Sequence, residues 1–239
     1  MASVYDILLE LPMFKGIGRE HLPALLAKTH LDFKTVSPCS SLGTAGEDCS
    51  TVRCVLSGRF EKITKCIDGR LIVREKFTAP ATIGLENLFG LDTTLRSDFR
   101  SLTECSMMEF PKMQLVSLLT GNEICLINML NYLSAAAQRP SAAWRTKPTS
   151  DLIGNLQCLL AAVGASGRGS LFLESTSCPV AELLCEDIDI SLRQEQDLLS
   201  MRLIEKEDAR KWKITGTLKD IADFFSTNRP SNDLPNNAG

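Results

Sequence analysis

The spacing of hydrophobic positions changes along the chain. Leu22, Leu25 and Leu26 lie at helical spacing, which predicts a helix over 13–28. From 31 to 110, short runs rich in β-branched and aromatic residues alternate with turn signals, and we expect strands over 51–56, 60–67 and 71–77. Asp68-Gly69 separates the last two runs and predicts a tight hairpin, because a type I′ turn needs positive φ at both central positions. Several short strands at this spacing predict a sandwich or a barrel-like roll.

Helical spacing returns at 112 and continues to about 138. Within it, Leu126, Leu130, Leu133 and Ala137 are spaced four, three and four residues apart, as in the seam between two helices. One interpretation is a helix that packs on the core of its own domain. The other is a dimer helix, which its position directly after a predicted roll favours. Pro140 and Pro148 then enclose a predicted hinge over 139–149.

The C-terminal part predicts helices over 152–163, 180–184 and 190–205 and strands over 171–173 and 211–215, with Ser177 as the cap of the middle helix. Two helices across a tight turn, followed by a strand, are typical of a winged helix-turn-helix. The expected architecture is therefore α+β. It comprises a double-stranded β-roll sensor domain over 1–111, a dimerisation helix with hinge over 112–149, a winged helix-turn-helix over 150–225 and a disordered tail over 226–239.

Composition excludes several classes of protein. The 239 residues are 44% hydrophobic and 23% charged, which is ordinary for a globular protein. No apolar run is long enough to cross a membrane, and Asp6 and Glu10 lie near an N-terminus without a basic region, so we expect a cytoplasmic protein. The nine cysteines are scattered and form no C-x-x-C pair, and there are two histidines, so we expect mostly buried free thiols and no metal or other cofactor.

The same residues argue against an enzyme and against simple DNA affinity. We find no Ser-His-Asp or Cys-His set, and the glycine-rich loop at 164–169 lacks the Lys-Ser/Thr ending of a phosphate-binding P-loop. We therefore expect no catalytic activity. The segment 145–239 holds 11 basic and 14 acidic residues, so it is not the basic module that phosphate contacts favour.

Short motifs follow one another in a fixed order. They are Leu11-Pro12-Met13-Phe14, Ala45-Gly46-Glu47, Ile83-Gly84, Leu88-Phe89-Gly90 and Phe99-Arg100-Ser101-Leu102-Thr103. In this order the chain from about 11 to 225 resembles the Crp/Fnr family of bacterial transcription regulators, and most of all the branch common in gut Bacteroidetes. The resemblance implies a cyclic-nucleotide-binding-like roll, a homodimer, and DNA and RNA polymerase as partners.

The family's phosphate-binding cassette falls between 83 and 101. The resemblance implies an effector pocket formed by Gly84, Leu85, Glu86, Leu95, Arg96 and Ser97. Cyclic-nucleotide-binding members carry a glutamate for the ribose after the Ile-Gly and an arginine for the cyclic phosphate, because a guanidinium pairs two oxygens at once. Here Leu85 and Leu95 stand at those positions, although a shift of one residue would bring in Glu86 and Arg96. We therefore expect an effector of unknown identity, or none, rather than cAMP.

The recognition helix also departs from the family. Direct alignment places 186–193 over the turn and the start of that helix, where Asp187 and Asp189 would face DNA phosphates unfavourably. The residues expected to contact DNA are Ser191, Arg193, Gln194, Arg202, Lys206, Lys211 and Lys213. Two functions stay open: a homodimeric DNA-binding regulator, which the order of elements favours, and a diverged sensor or protein-binding homologue without DNA, which the acidic turn favours.

Overall fold

The structure is a computed structural model that describes residues 3–66, 69–138, 151–163, 170–216 and 220–221. Its α+β class confirms the prediction. The helices are α1 (Val4–Leu9), α2 (Leu22–Leu26), α3 (Lys112–Gly121), α4 (Glu123–Ala137), α5 (Leu152–Val163), α6 (Val180–Leu184) and α7 (Ile188–Ser200). The strands are β1 (Asp32–Val36), β2 (Ser41–Gly43), β3 (Thr51–Ser57), β4 (Arg59–Cys66), β5 (Leu71–Thr78), β6 (Ala81–Ile83), β7 (Asp98–Ser101), β8 (Cys105–Pro111), β9 (Ser170–Ser175), β10 (Ile204–Asp208) and β11 (Lys211–Ile214).

The first eight strands form an antiparallel, jelly-roll-like roll. One wall is a four-stranded sheet in the order β1-β8-β3-β6, and the other consists of β5-β4-β7-β2. Side chains from both walls, such as Val55 and Phe60, meet in one buried core. β4 and β5 pair as the predicted hairpin requires, from Arg59 opposite Thr78 to Cys66 opposite Leu71, whereas Asp68 of the predicted turn lies outside the described ranges.

Two predicted helices differ from the observed ones. The segment 13–28 contains a 3-10 turn at Pro12–Phe14 and then α2, because Gly16 leaves the helical region at φ 82°. The segment 112–138 is two helices, since Asn122 is extended at φ −149° and its side chain caps α4 by accepting a hydrogen bond from the Cys125 amide. Sequence periodicity does not register such a break, because the apolar spacing continues through it.

A second buried core is formed by side chains of α5, β9, α6, α7, β10 and β11 together with β5, and Trp212 is fully buried in it. The N-cap of α6 is Pro179 and not Ser177. Helix α7 begins two residues earlier than predicted, because the Asp187 carboxylate accepts a hydrogen bond from the Ile190 amide. It also ends earlier, at Ser200, so the predicted helical residues Ile204 and Glu205 belong to β10.

All nine cysteines are free thiols, and five of them are buried. Burial raises the pKa of Cys54 to about 12 and that of Cys125 to about 11. These thiols are therefore protonated at neutral pH and act as small core side chains. Among the described residues, no helix has the length and apolar character that a membrane span needs, and no group of histidine, cysteine and acidic side chains is arranged to hold a metal ion. The predicted hinge at 139–149, the glycine-rich loop at 164–169 and the tail at 226–239 lie outside the described ranges.

Candidate effector pocket and binding surfaces

The segment that resembles the phosphate-binding cassette is closed by two leucines. Gly84 has left-handed backbone at φ 61° and precedes a short 3-10 turn that buries Leu85 in the roll. Leu95 is 3% exposed and its side chain packs against Gly43 and Gly84. A Cβ atom added at Gly43 would lie 2.7 Å from a Leu95 methyl, and one at Gly84 would lie closer still. The space beside both glycines is therefore occupied by Leu95.

The polar residues of the cassette point elsewhere. Leu95, Ser97 and Phe99 are buried in alternation while Arg96 is exposed, so the arginine lies on the outside of the roll. The Ser97 hydroxyl lies 2.8 Å from that of Thr64 on β4. Glu86 accepts a hydrogen bond of 2.8 Å from the Tyr132 hydroxyl on α4. Leu95, and not Arg96, is therefore the side chain that packs beside Gly84.

A charged cluster that sequence reasoning missed lies next to Leu95. The Arg53 side chain, only 16% exposed, pairs with Glu47, and its Nε lies 3.5 Å from Glu109. Lys34 also contacts Glu109, at 2.8 Å. The hydrogen bond from Arg53 holds the pKa of Glu47 below its usual value. Arg53 thus lies between two carboxylates, one of which it shares with Lys34.

Helix α4 exposes the predicted leucine stripe. Its buried face consists of Cys125 and Met129, which pack on the roll. Leu126 is 38% exposed and Leu130 49%, Ala137 is exposed, and Leu133 at the edge is half-buried against the roll. Helix α4 therefore packs on the core of its own domain, as one of the two interpretations expects, while Leu126 and Leu130 of the stripe stay exposed.

Two side chains fix how α4 lies on the roll. The Asn128 amide donates to the Lys15 carbonyl at 2.7 Å, and Tyr132 bonds to Glu86 as described above. Each contact joins residues far apart in sequence. Together they hold the helix with its leucine stripe facing outward.

The predicted DNA-contacting residues of α7 divide into structural and exposed ones. Ser191 is fully buried and donates to the Ile188 carbonyl at 2.8 Å. Gln194 accepts from the Leu152 amide at 2.8 Å, so it joins α7 to α5. Arg193 is exposed, next to Leu192 at 52% exposure. Of the three α7 residues predicted to contact DNA, Arg193 is the exposed one.

The basic residues after α7 lie among carboxylates. Lys206 pairs with Glu195 at 2.7 Å and Lys213 pairs with Glu205 at 2.7 Å. Lys211 lies 4.0 Å from Glu174. Arg202 is exposed and holds a left-handed backbone at φ 56° where α7 turns into β10. The strand pair β10–β11 thus presents cations whose charge is largely balanced.

Comparisons with known proteins give a likeness only in structure. No family model matches the sequence, and no curated protein does. A candidate cyclic nucleotide-binding protein from Ruegeria pomeroyi DSS-3 shares 14% identity over 93% of this chain and 96% of its own, with a TM-score of 0.41. The sensor domain of the transcriptional regulator DNR from Pseudomonas aeruginosa shares 14% identity over 56% of this chain and 94% of its own, with a TM-score of 0.44. The N-terminal domain of a transcriptional regulator from Streptomyces coelicolor A3(2) shares 20% identity over 56% of this chain and 93% of its own, with a TM-score of 0.43. At these values the likeness identifies neither a ligand nor a function of this chain.

Proposed function

We propose that the chain is a cytoplasmic transcription regulator of the Crp/Fnr type, with DNA and RNA polymerase as its partners. In this proposal it dimerises through α4 and carries a C-terminal winged helix-turn-helix. The observation that carries the proposal is the exposed leucine stripe on α4, placed between a β-roll and a unit with the order α5-β9-α6-α7-β10-β11. That order is the one expected for a winged helix-turn-helix, with α7 as recognition helix and β10–β11 as wing.

The leucine stripe supports a dimer because the monomer exposes its apolar side chains to water, which is unfavourable. Leu126 and Leu130 lie one helical turn apart, and Ile127 beside them is 54% exposed. Large apolar side chains that line one exposed helix face mark a contact surface. A second copy of α4 would cover them in an isologous, two-fold contact, which is the commonest symmetry of soluble oligomers.

In this proposal Arg193 reads DNA and the wing lysines hold it. From 186 to 200 the acids are Glu186, Asp187, Asp189, Glu195 and Asp197, and Arg193 is the one basic residue. The attraction to phosphates must then come from Lys206, Lys211 and Lys213 with Arg202. Because the three lysines already have carboxylate partners, we expect weak nonspecific binding and a small salt dependence.

We expect two substitutions in the C-terminal unit to act differently on DNA. Lys211→Ala combined with Lys213→Ala should weaken binding to cognate and scrambled duplexes alike. It should also reduce the slope of log affinity against log salt concentration by up to about two, since each phosphate contact contributes about one. Arg193→Ala should reduce discrimination between them by about 1–3 kcal/mol, as the loss of a base contact does. Fluorescence anisotropy across a salt series measures both effects.

Lys65→Ala is the matched control, because Lys65 is an exposed lysine of the roll whose partner Asp98 lies 3.8 Å away. It should leave affinity and salt slope unchanged. A double wing variant with the full salt slope would show that the wing does not contact phosphates. If Arg193→Ala and the unmodified protein discriminate equally between cognate and scrambled duplexes, Arg193 does not contact the bases.

The exposed face of α7 favours a second candidate function, a protein-binding regulator without DNA. Ile188 and Leu192 are 58% and 52% exposed, with Asp189 between them. Apolar and acidic side chains suit a protein partner better than a phosphate backbone. If no duplex binds the unmodified protein even at low salt, this second function replaces the first.

We expect the roll not to bind cAMP with useful affinity. Leu85 offers no acceptor to a ribose hydroxyl, and Leu95 offers no charge to a cyclic phosphate. Losing a charge-assisted partner costs about 2–5 kcal/mol, which takes a micromolar site to about 30 μM or weaker. Isothermal titration calorimetry should therefore show no micromolar binding. Micromolar binding that is lost in Arg96→Ala would instead support the shifted register of the cassette.

A further inference from the structure

One sheet runs through both parts of the protein. Its seven strands follow the order β10-β11-β9-β5-β4-β7-β2, so β9 of the C-terminal unit pairs directly with β5 of the roll. The two strands are antiparallel over six residue pairs, from Leu71 opposite Ser175 to Lys76 opposite Ser170. The Thr176 amide donates to the Arg70 carbonyl at 2.9 Å and extends the junction beyond the strands.

Charged side chains reinforce this junction on β4 and β5. Lys62 on β4 lies 3.1 Å from Glu75 on β5 and donates to the Val163 carbonyl, at the end of α5, at 2.9 Å. A cation is favourable at that position because the carbonyls at a helix C-terminus carry partial negative charge. Arg74 lies 3.2 Å from Glu174 on β9. Roll residues thus bind both α5 and β9.

The roll also completes the core of the C-terminal unit. Leu71 and Val73 on β5 are fully buried, and both belong to the core formed with Leu156, Leu173 and Trp212 rather than to the core of the roll. Without β5, this second core would lose two apolar side chains, and β9 would expose one edge. An exposed strand edge and a gap in the core both destabilise a small domain.

We propose that the roll and the C-terminal unit are one rigid body, joined through β5 and β9, and that α7 is presented without an activating ligand. Helix α7 keeps Arg193 and Leu192 exposed while β5 and β9 are paired, so the joined state does not cover its outer face. Leu95 fills the space beside Gly43 and Gly84 in the roll. The strand pairing, the charged contacts and the shared core support the rigid coupling by themselves, whereas its consequence for partner binding rests on the proposed function.

Hydrogen exchange of the full-length protein tests the coupling without any partner. Amides that exchange through the same cooperative opening share the same protection. We expect the β9 amides facing β5 and those of β4 to be protected to the same extent. Protection of β9 that is lower than that of β4 by about tenfold or more would mean that the C-terminal unit opens alone, and would overturn the proposal.

Two matched substitutions test the coupling from each side. Val55 is fully buried in the first core and Val180 in the second. Val55→Ala and Val180→Ala each remove the equivalent of two methylene groups, which should raise exchange by about tenfold. In one rigid body each variant raises exchange in both β4 and β11 by the same factor. If each variant affects only its own half, the two units are independent and the proposal is wrong.

DNA binding is measured separately in the same preparations. Equal protection of β4 and β9 without binding to any duplex would contradict the DNA-binding function and leave the rigid body standing. Unequal protection of β4 and β9 with specific DNA binding would contradict the rigid body and leave the DNA-binding function standing. Binding that appears only after a cyclic nucleotide, cAMP or cGMP, is added would overturn the ligand-free presentation of α7.

Discussion

In the proposed α4 dimer, Leu130→Glu should separate the two copies into monomers. Leu130 is 49% exposed on the outer face of α4, so a partner helix would bury the remaining half. An isologous contact brings together one Leu130 from each copy, and losing both side chains weakens the dimerisation free energy by about 2–3 kcal/mol. Two carboxylates must also leave water, which adds a further penalty. Together these terms raise the dissociation constant by at least about 100-fold, which sedimentation velocity over a concentration series resolves.

Asn131→Glu provides the control for charge. Asn131 is the next residue of α4 and is exposed, but it lies outside the leucine stripe. This variant should remain a dimer. Leu130→Glu should change the thermal stability of the monomer little, because Leu130 lies on the exposed face of α4 and outside the buried core. A Leu130→Glu protein that sediments as a dimer would place the interface on another surface.

The strands and helices with regular apolar spacing could be predicted from the sequence. Helices α5 and α6 have the predicted bounds, and β3, β4 and β5 differ by a residue or two from the expected segments. Their hydrophobic periods match their burial, so local pattern and final packing agree. The strand β10 could not be predicted, because its sequence from Ile204 to Asp208 is mostly charged and it pairs only along β11.

The pairing of β5 with β9 was beyond sequence reasoning for a different reason. The two strands are about a hundred residues apart, and each has a pattern that fits a strand in its own domain. Val73 alternates with half-buried neighbours as a roll strand would, yet it is buried in the second core. Which strand pairs along a given edge depends on the tertiary structure, and the periodicity of a single sequence carries no information about it.

Sequence periodicity predicted which residues share a helix face, but it did not predict which polar side chains form bonds within the protein. The spacing of Leu126 and Leu130 identified the exposed face of α4, because helical periodicity fixes which residues share a face. By contrast, Ser191 and Gln194 were expected to contact DNA and instead make contacts within the C-terminal unit. Polar side chains of one helix look alike in sequence, whether they point outward or satisfy a backbone group inside.

Removing the charge of Lys62 should destabilise both parts of the protein. Glu75 is 4% exposed and lies 3.1 Å from Lys62, whose side chain is 16% exposed. Removing one partner of a buried pair costs about 3–5 kcal/mol, because the other charge stays out of water. We expect Lys62→Met to cost about 3 kcal/mol, since Lys62 keeps some solvent contact. Urea denaturation measures this loss of unfolding free energy.

A double-mutant cycle separates the pair from its surroundings. Lys62→Met combined with Glu75→Leu replaces both charges with apolar groups of similar size, and such replacements are often neutral or stabilising. The double variant should therefore recover most of the stability that Lys62→Met loses. Lys65→Met on the same strand is the control, because Lys65 is 65% exposed and its surface pair with Asp98 contributes about 1 kcal/mol or less. If Lys62→Met costs no more than Lys65→Met, the Lys62–Glu75 pair does not stabilise the junction. If it lowers the protection of β4 and β11 amides by one common factor, the pair stabilises a single body that includes the wing.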